Sequence, residues 1–140
     1  MDYTTLKALL AEEPYSSMSD QEAAAALNTP SVTEAYSRFV SYRTLLAELT
    51  PADYRTMRET FKAAAVADVL LADADAAMSA EAGGLDFGHA TARALIDSLF
   101  AAELAAKLKA LAERLVSPAE AAGIGTVDLY HVQRAKVVGQ

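Results

Sequence analysis

At 140 residues and without a cysteine, the chain is long enough to bury a core unaided. Disulfides, thiolate zinc sites and cysteine nucleophiles are excluded together, which fits a reducing cytoplasm. The net charge of −7 argues against wholesale binding of phosphate backbones, because that affinity comes from clustered Lys and Arg displacing counterions. No stretch approaches the roughly 18 unbroken apolar residues of a membrane helix, and MDYTTLKALL lacks the basic region that opens a secretion signal.

Alanine is abundant and β-branched residues are sparse, a bias that favours helix nearly everywhere. The expected fold is all-α: a single-domain helical bundle with short N-terminal helices within 1–29, two long helices at 31–82 and 86–116, and a C-terminal turn and helix within 117–140. Residues 3–12 form a first helix with Leu6, Leu9 and Leu10 on one face, closed by Glu12, Glu13 and Pro14. Ser19 to Glu22 has the spacing of a capping box and opens a second helix, Asp20 to Leu27. The same spacing recurs at Ser31 to Glu34, predicting a helix to about Leu49 whose Val32, Tyr36, Phe39, Val40 and Leu46 share a face. Thr50 and Pro51 restart the helix, with Asp53 at its positive end, and Tyr54, Met57, Phe61, Ala65, Val69 and Ala72 trace an apolar stripe toward Ala80.

Gly83 to Gly88, GGLDFG, is the clearest loop, pinned by Leu85 and Phe87. Asp86 or His89 begins the next helix, with at most a local break near Asp97 and Ser98. Within it Ile96, Phe100, Leu104, Leu108, Leu111 and Leu115 recur every three or four residues. Unbroken from Thr91 to Leu115, it is a rod of roughly 37 Å, which calls for several partner helices or another subunit to cover its stripe. Ser117, Pro118 and Glu120 start one more turn that stops at Gly123, and Gly125 bends the chain. Thr126 or Asp128 caps a last helix, with Leu129, Val132, Ala135 and the stem of Lys136 facing inward. The closing VVGQ is expected to fray unless a neighbour orders it.

Few residues suggest chemistry. Asp68, Asp73 and Asp75 cluster like ligands of a hard cation, but Asp73 points away from the other two on a helix and no glycine turn gathers their oxygens. A solvated acidic face or a charged protein contact is expected, and no metal. His89 and His131 have no nucleophile-bearing turn beside them, so both are expected at the surface or an interface. GGLDFG and GIG lack the spacing of phosphate-cradling loops, and no cofactor or catalytic residue is expected. Residues 117–137 also fit a helix–turn–helix, with Ala119, Gly123, Ile124, Leu129 and Val132 at its small and apolar positions. As a small DNA-binding regulator it would offer His131, Gln133, Arg134 and Lys136, against the acidity of the rest. The same tract serves equally as a packing corner. Among six tyrosines, Tyr15 and Tyr130 stand beside turn residues, where an aromatic with a polar tip suits a protein contact. The candidate contact residues are therefore Tyr15 and Tyr130, Leu85 and Phe87 of the glycine loop, and His131 and Arg134 of the last helix.

At the start stand Tyr3-Thr4-Thr5-Leu6-Lys7, Glu13-Pro14-Tyr15, Met18-Ser19-Asp20-Gln21-Glu22-Ala23-Ala24 and Leu27-Asn28-Thr29. At the end stand Ser117, Ala119, Gly123-Ile124-Gly125, Val127, His131-Val132 and Ala135. These two ends resemble a family of small tailed-phage proteins encoded among virion structural genes. The resemblance implies a non-enzymatic structural or assembly role in the virion, assembled in the host cytoplasm. It points first to a head–tail connector of adaptor type in the neck, then to capsid decoration or a tail role. The implied partners are portal, adaptor or tail proteins and copies of the chain itself, with no membrane and no specific nucleic acid.

Overall fold

The computed structural model describes residues 1–79 and 81–139. The expected reach of the first long helix to Ala80 and the end of the VVGQ tail at Gln140 lie outside the described residues. Among the described residues the chain is mostly helical, with nine α-helices and two short strand pairs, so it is not purely all-α.

In chain order, helix α1 (Tyr3–Leu10) starts where the Asp2 carboxylate accepts the Thr5 N–H at 3.0 Å. A 3-10 turn at Tyr15–Ser17 leads to α2 (Asp20–Asn28), opened by the expected capping box: Glu22 N–H to Ser19 Oγ and Ser19 N–H to Glu22 Oε2, both 3.2 Å. The predicted helix from Ser31 is absent. In its stead come strands β1 (Val32–Ala35) and β2 (Phe39–Val40), then a short helix α3 (Tyr42–Glu48). The physical reason lies in long-range partners. The Ser31 N–H, which a capping box would give to the Glu34 side chain, is taken by Val116 O at 3.0 Å, and the Tyr36 N–H, which a helix would use internally, by Ala112 O at 2.9 Å. Val32, Thr33, Phe39 and Val40 are β-branched or aromatic and suit a strand.

Helix α4 (Pro51–Ala67) begins as expected, with Thr50 Oγ1 accepting the Asp53 N–H at 3.2 Å and proline in the first turn. It ends at Asp68, which is extended (φ −134°, ψ 117°) and caps α5 (Val69–Ala77) by accepting the Leu70 N–H at 2.9 Å. An aspartate that bonds its own neighbourhood breaks a helix that composition alone would continue. Strand β3 (Leu85–Asp86) pairs antiparallel with β2, Phe39 opposite Asp86 and Val40 opposite Leu85. The second long helix is likewise two: α6 (Ala90–Leu99) and α7 (Ala102–Ala110), separated by extended Phe100. The chain then leaves helix before Leu115, as β4 (Glu113–Val116), which pairs with β1. Helix α8 (Pro118–Ala121) is a single turn capped by Ser117, and α9 (Leu129–Lys136) is capped by Asp128.

The buried residues gather around two cores. Residues Met1–Glu34 and Leu115–Gln140 make one compact unit and Ala35–Arg114 the other. In the first, Leu6, Leu10 and Leu27 pack with Val127, Val132 and Ala135. Its two chain segments are also clamped by an amide: Asn28 Nδ2 donates to Val127 O at 2.5 Å, and the Val127 N–H donates to Asn28 Oδ1 at 2.8 Å. In the second, Val40, Leu45, Met57 and Phe87 pack with Ile96, Leu104 and Leu108. The break at Phe100 lets both halves of the long stripe, Ile96 on α6 and Leu104 with Leu108 on α7, enter that one core. Arg38 supports the fold by donating to Leu111 O at 2.7 Å, and Arg93 by donating to Phe87 O and Lys109 O, both at 3.2 Å.

Two tests follow from these contacts. Asn28→Ala leaves both backbone groups of Val127 without their partner, and the urea midpoint is expected to fall by the equivalent of about 1–3 kcal/mol. At Gly88 a Cβ would stand 2.0 Å from Tyr36 O, whereas at Gly83 (φ +87°) it meets nothing within 4 Å. Gly88→Ala is therefore expected to destabilise by about 1–3 kcal/mol and Gly83→Ala by less; equal losses in the two denaturation curves would contradict the crowding.

Candidate functional site

In the first unit, the site-bearing element is α9. Its Asp128 carboxylate accepts the His131 N–H at 2.9 Å, and His131 Nδ1 accepts the Asp128 N–H at 3.2 Å, so the histidine completes a capping box in the position usually held by Glu or Gln. The ring is half-buried, its centroid 6.2 Å from that of Tyr3. Val132 and Ala135 face the core. The opposite face is open: Tyr130 is 64% exposed, and Arg134 and Val137 are exposed beside it. Leu129, expected inside, is also exposed. Lys136 does not lie inward as a stem alone, since its ammonium pairs with Asp20. The tail is tied as well, with Lys7 Nζ donating to Val138 O and the Val138 N–H donating to Ala135 O at 3.2 Å.

For the helix–turn–helix pattern this has consequences. The expected first helix is the single turn α8, His131 is engaged as a cap and Lys136 as an ion pair, which leaves Gln133 and Arg134 of the four expected contacts. Ala119 is fully buried and Ile124 packs partly against the core, so the tract forms a corner of the first unit. Tyr15 is half-buried on the same core and offers only part of its ring.

In the second unit the glycine loop turns inward. Phe87, expected as a contact residue, is 4% exposed and belongs to the core, so it has nothing to offer a partner. Leu85 is half-buried against that core. The organising residue of the loop is Asp86, which was considered only as a helix start. Its carboxylate accepts from Ser37 Oγ at 2.8 Å, from the Gly88 N–H at 2.9 Å and from the Arg38 N–H at 3.1 Å. The Ser37 hydroxyl, and then these backbone donors, hold its carboxyl below the usual range. The sequence signal was present in Asp-Phe-Gly, an Asx turn spelled out in three residues. His89 caps α6, with Nδ1 accepting the Thr91 N–H at 3.2 Å.

The three clustered aspartates go separate ways. Asp68 caps α5, while Asp75 accepts the Tyr42 hydroxyl. The Arg58 guanidinium lies 3.6 Å from the centre of the Tyr42 ring, and burial, then Asp75, push the Tyr42 phenol well up. Asp73 is exposed at the rim of an open hollow of about 440 Å³ that also takes in Leu70, Leu85, His89 and Leu95. Next to it, the α4–α5 corner carries Val66 at 85% exposure and Val69 at 79%, with Leu70 half in solvent. Val69 had been assigned to a buried stripe; the turn at Asp68 swings it out. These apolar residues were missed as surface, since periodicity tells which residues share a face and not whether that face is covered.

No family model matches the chain, and neither a curated protein nor a solved structure is significantly similar to it.

The Asp86 contacts set a pH dependence. Its folded pKa is below its ordinary value, so its contribution to stability is present above about pH 4 and is lost as pH falls further. Asp86→Ala is expected to lower the denaturant midpoint more at pH 7 than at pH 3; an equal drop at both would show that the ionised carboxylate is not what holds the loop.

Proposed function

We propose that the chain is a tailed-phage virion structural protein acting by protein–protein contact, a head–tail connector of adaptor type in the neck. Its partners are portal, adaptor or tail proteins and copies of itself, it works in the virion after assembly in the host cytoplasm, and it is not an enzyme. One observation carries this. The residues of the resemblance come from the two far ends of the sequence, yet Leu6, Ala23, Ala24, Leu27, Ala119, Val127, Val132 and Ala135 share a single core. Asn28 of the opening pattern and Val127 of the closing one are hydrogen-bonded to each other. Two short patterns that pack as one unit are better explained by a shared structural module than by two separate coincidences.

The polar residues also favour a contact role. Both histidines spend a ring nitrogen on a backbone N–H, and Asp2, Asp68, Asp86 and Asp128 are taken up by caps and turns. The surface also carries large apolar side chains: Phe39, Leu46, Val66, Val69, Leu115 and Tyr130 are all more than half exposed. Exposed apolar residues that gather in patches are the mark of surfaces covered in an assembly.

The test is to purify particles of the phage that encodes the chain, measure its copy number by mass spectrometry and locate it by antibody labelling, while its mass in solution is taken separately. Several copies per particle, labelled at the neck, are expected. A monomer absent from particles overturns the proposal, and a salt-dependent shift of duplex DNA by the isolated chain favours the regulator instead.

A further inference from the structure

We propose that copies of this chain join through two different surfaces, the exposed face of α9 in one copy seated on the α4–α5 corner of another, with Arg134 against Asp73. This rests on the self-association included in the proposed function and names the surfaces that make it.

The first surface is a helical stripe. Tyr130, Arg134 and Val137 lie at positions i, i+4 and i+7, on the side of α9 opposite Val132 and Ala135. Tyrosine and arginine are the residue types that most often anchor interfaces, and here they stand together in solvent. Among the described residues the Arg134 guanidinium has no hydrogen bond, ion pair or ring contact, unlike the Lys136 ammonium two positions on, which holds Asp20.

The second surface has the complementary form. Val66, Val69 and Leu70 project from the corner, and Asp73 follows Leu70 by three residues and Val69 by four, on the same side of α5. Asp73 is exposed and, among the described residues, without a partner, although Asp68 and Asp75 on either side are both engaged. The hollow beside it, walled by Leu70, Leu85 and Leu95, gives an aromatic ring somewhere to go.

Each surface thus sets exposed apolar area around one uncompensated charge, and the two charges are opposite. That opposition decides which surfaces meet. A two-fold contact of α9 on α9 would set Arg134 against Arg134, and corner on corner would set Asp73 against Asp73; like charges across an interface are costly. Joining the two different surfaces brings the unlike charges together, either reciprocally between two copies or by propagation into a ring or a filament. With a net charge of −7 on every copy, a local pairing of this kind is also what offsets the general repulsion between them.

The experiment is a concentration series of the full chain by sedimentation, with helix content checked by circular dichroism. The wild-type chain is expected to self-associate, less so in high salt. Asp73→Arg and Arg134→Glu are each expected to weaken association by about tenfold or more, as misplaced charges at an interface do. Combining both substitutions in one chain restores it, and so does mixing the two single variants, because each then supplies the charge that the other now needs. The mixture also guards against misfolding, since an unfolded variant rescues nothing. A wild-type chain that remains monomeric at about 1 mM, where even a contact of only about 4 kcal/mol would show, overturns the proposal. So do single variants that associate like wild type, or a pair that fails to rescue on mixing. If the chain is found in particles while the single variants associate normally, the contact is wrong and the virion role stands. If charge exchange rescues association but the chain is absent from particles, the reverse holds.

Discussion

One side-chain amide decides how this chain is laid out. Asn28 offers a donor and an acceptor to the two backbone groups of Val127, as a neighbouring strand would, and so fixes the end of α2 to the turn before α9. Around that clamp Leu6, Leu27, Val132 and Ala135 exclude water, and the ends of the chain become one unit. Residues 35–114 are then an excursion from it, with their own core around Leu45, Met57 and Leu108. Closing so long a loop is entropically tolerable, because the cost grows only with the logarithm of its length.

Much of the local grammar was legible in the sequence. Ser19 with Glu22, Thr50 with Pro51, Ser117 with Pro118, and Asp128 each start a helix as expected, because a cap needs only residues that are neighbours along the chain. Ser31 with Glu34 has the same spacing and starts none. The difference is Val116, far away in sequence, whose carbonyl takes the Ser31 N–H and commits the segment to a ladder. The helix break at Asp68 has a local cause, the side chain that caps α5, in a residue the sequence suggests as a cation ligand or a surface charge and not as a cap. The break at Phe100 has no such cause in its own residues; it answers the demand of a core too small for a straight rod.

The surface was less legible than the interior. The face of α9 that carries Tyr130 and Arg134 follows from the inward period of Val132 and Ala135, but Phe87 was assigned to a loop surface and is core, while Val69 was assigned to a core stripe and is surface. Both errors have one origin. A hydrophobic residue in a sequence announces that something will cover it, without saying whether the cover is the same molecule. Only the path of the backbone, set by the turns at Asp68 and Asp86, separates the two cases.

The pairing of β1 with β4 has a corollary. The excursion departs and returns along adjacent strands, which in any sheet lie about 5 Å apart, a span that a tight turn can bridge. Residues 35–114 could therefore be exchanged for another cassette, or removed, without breaking the core around Asn28.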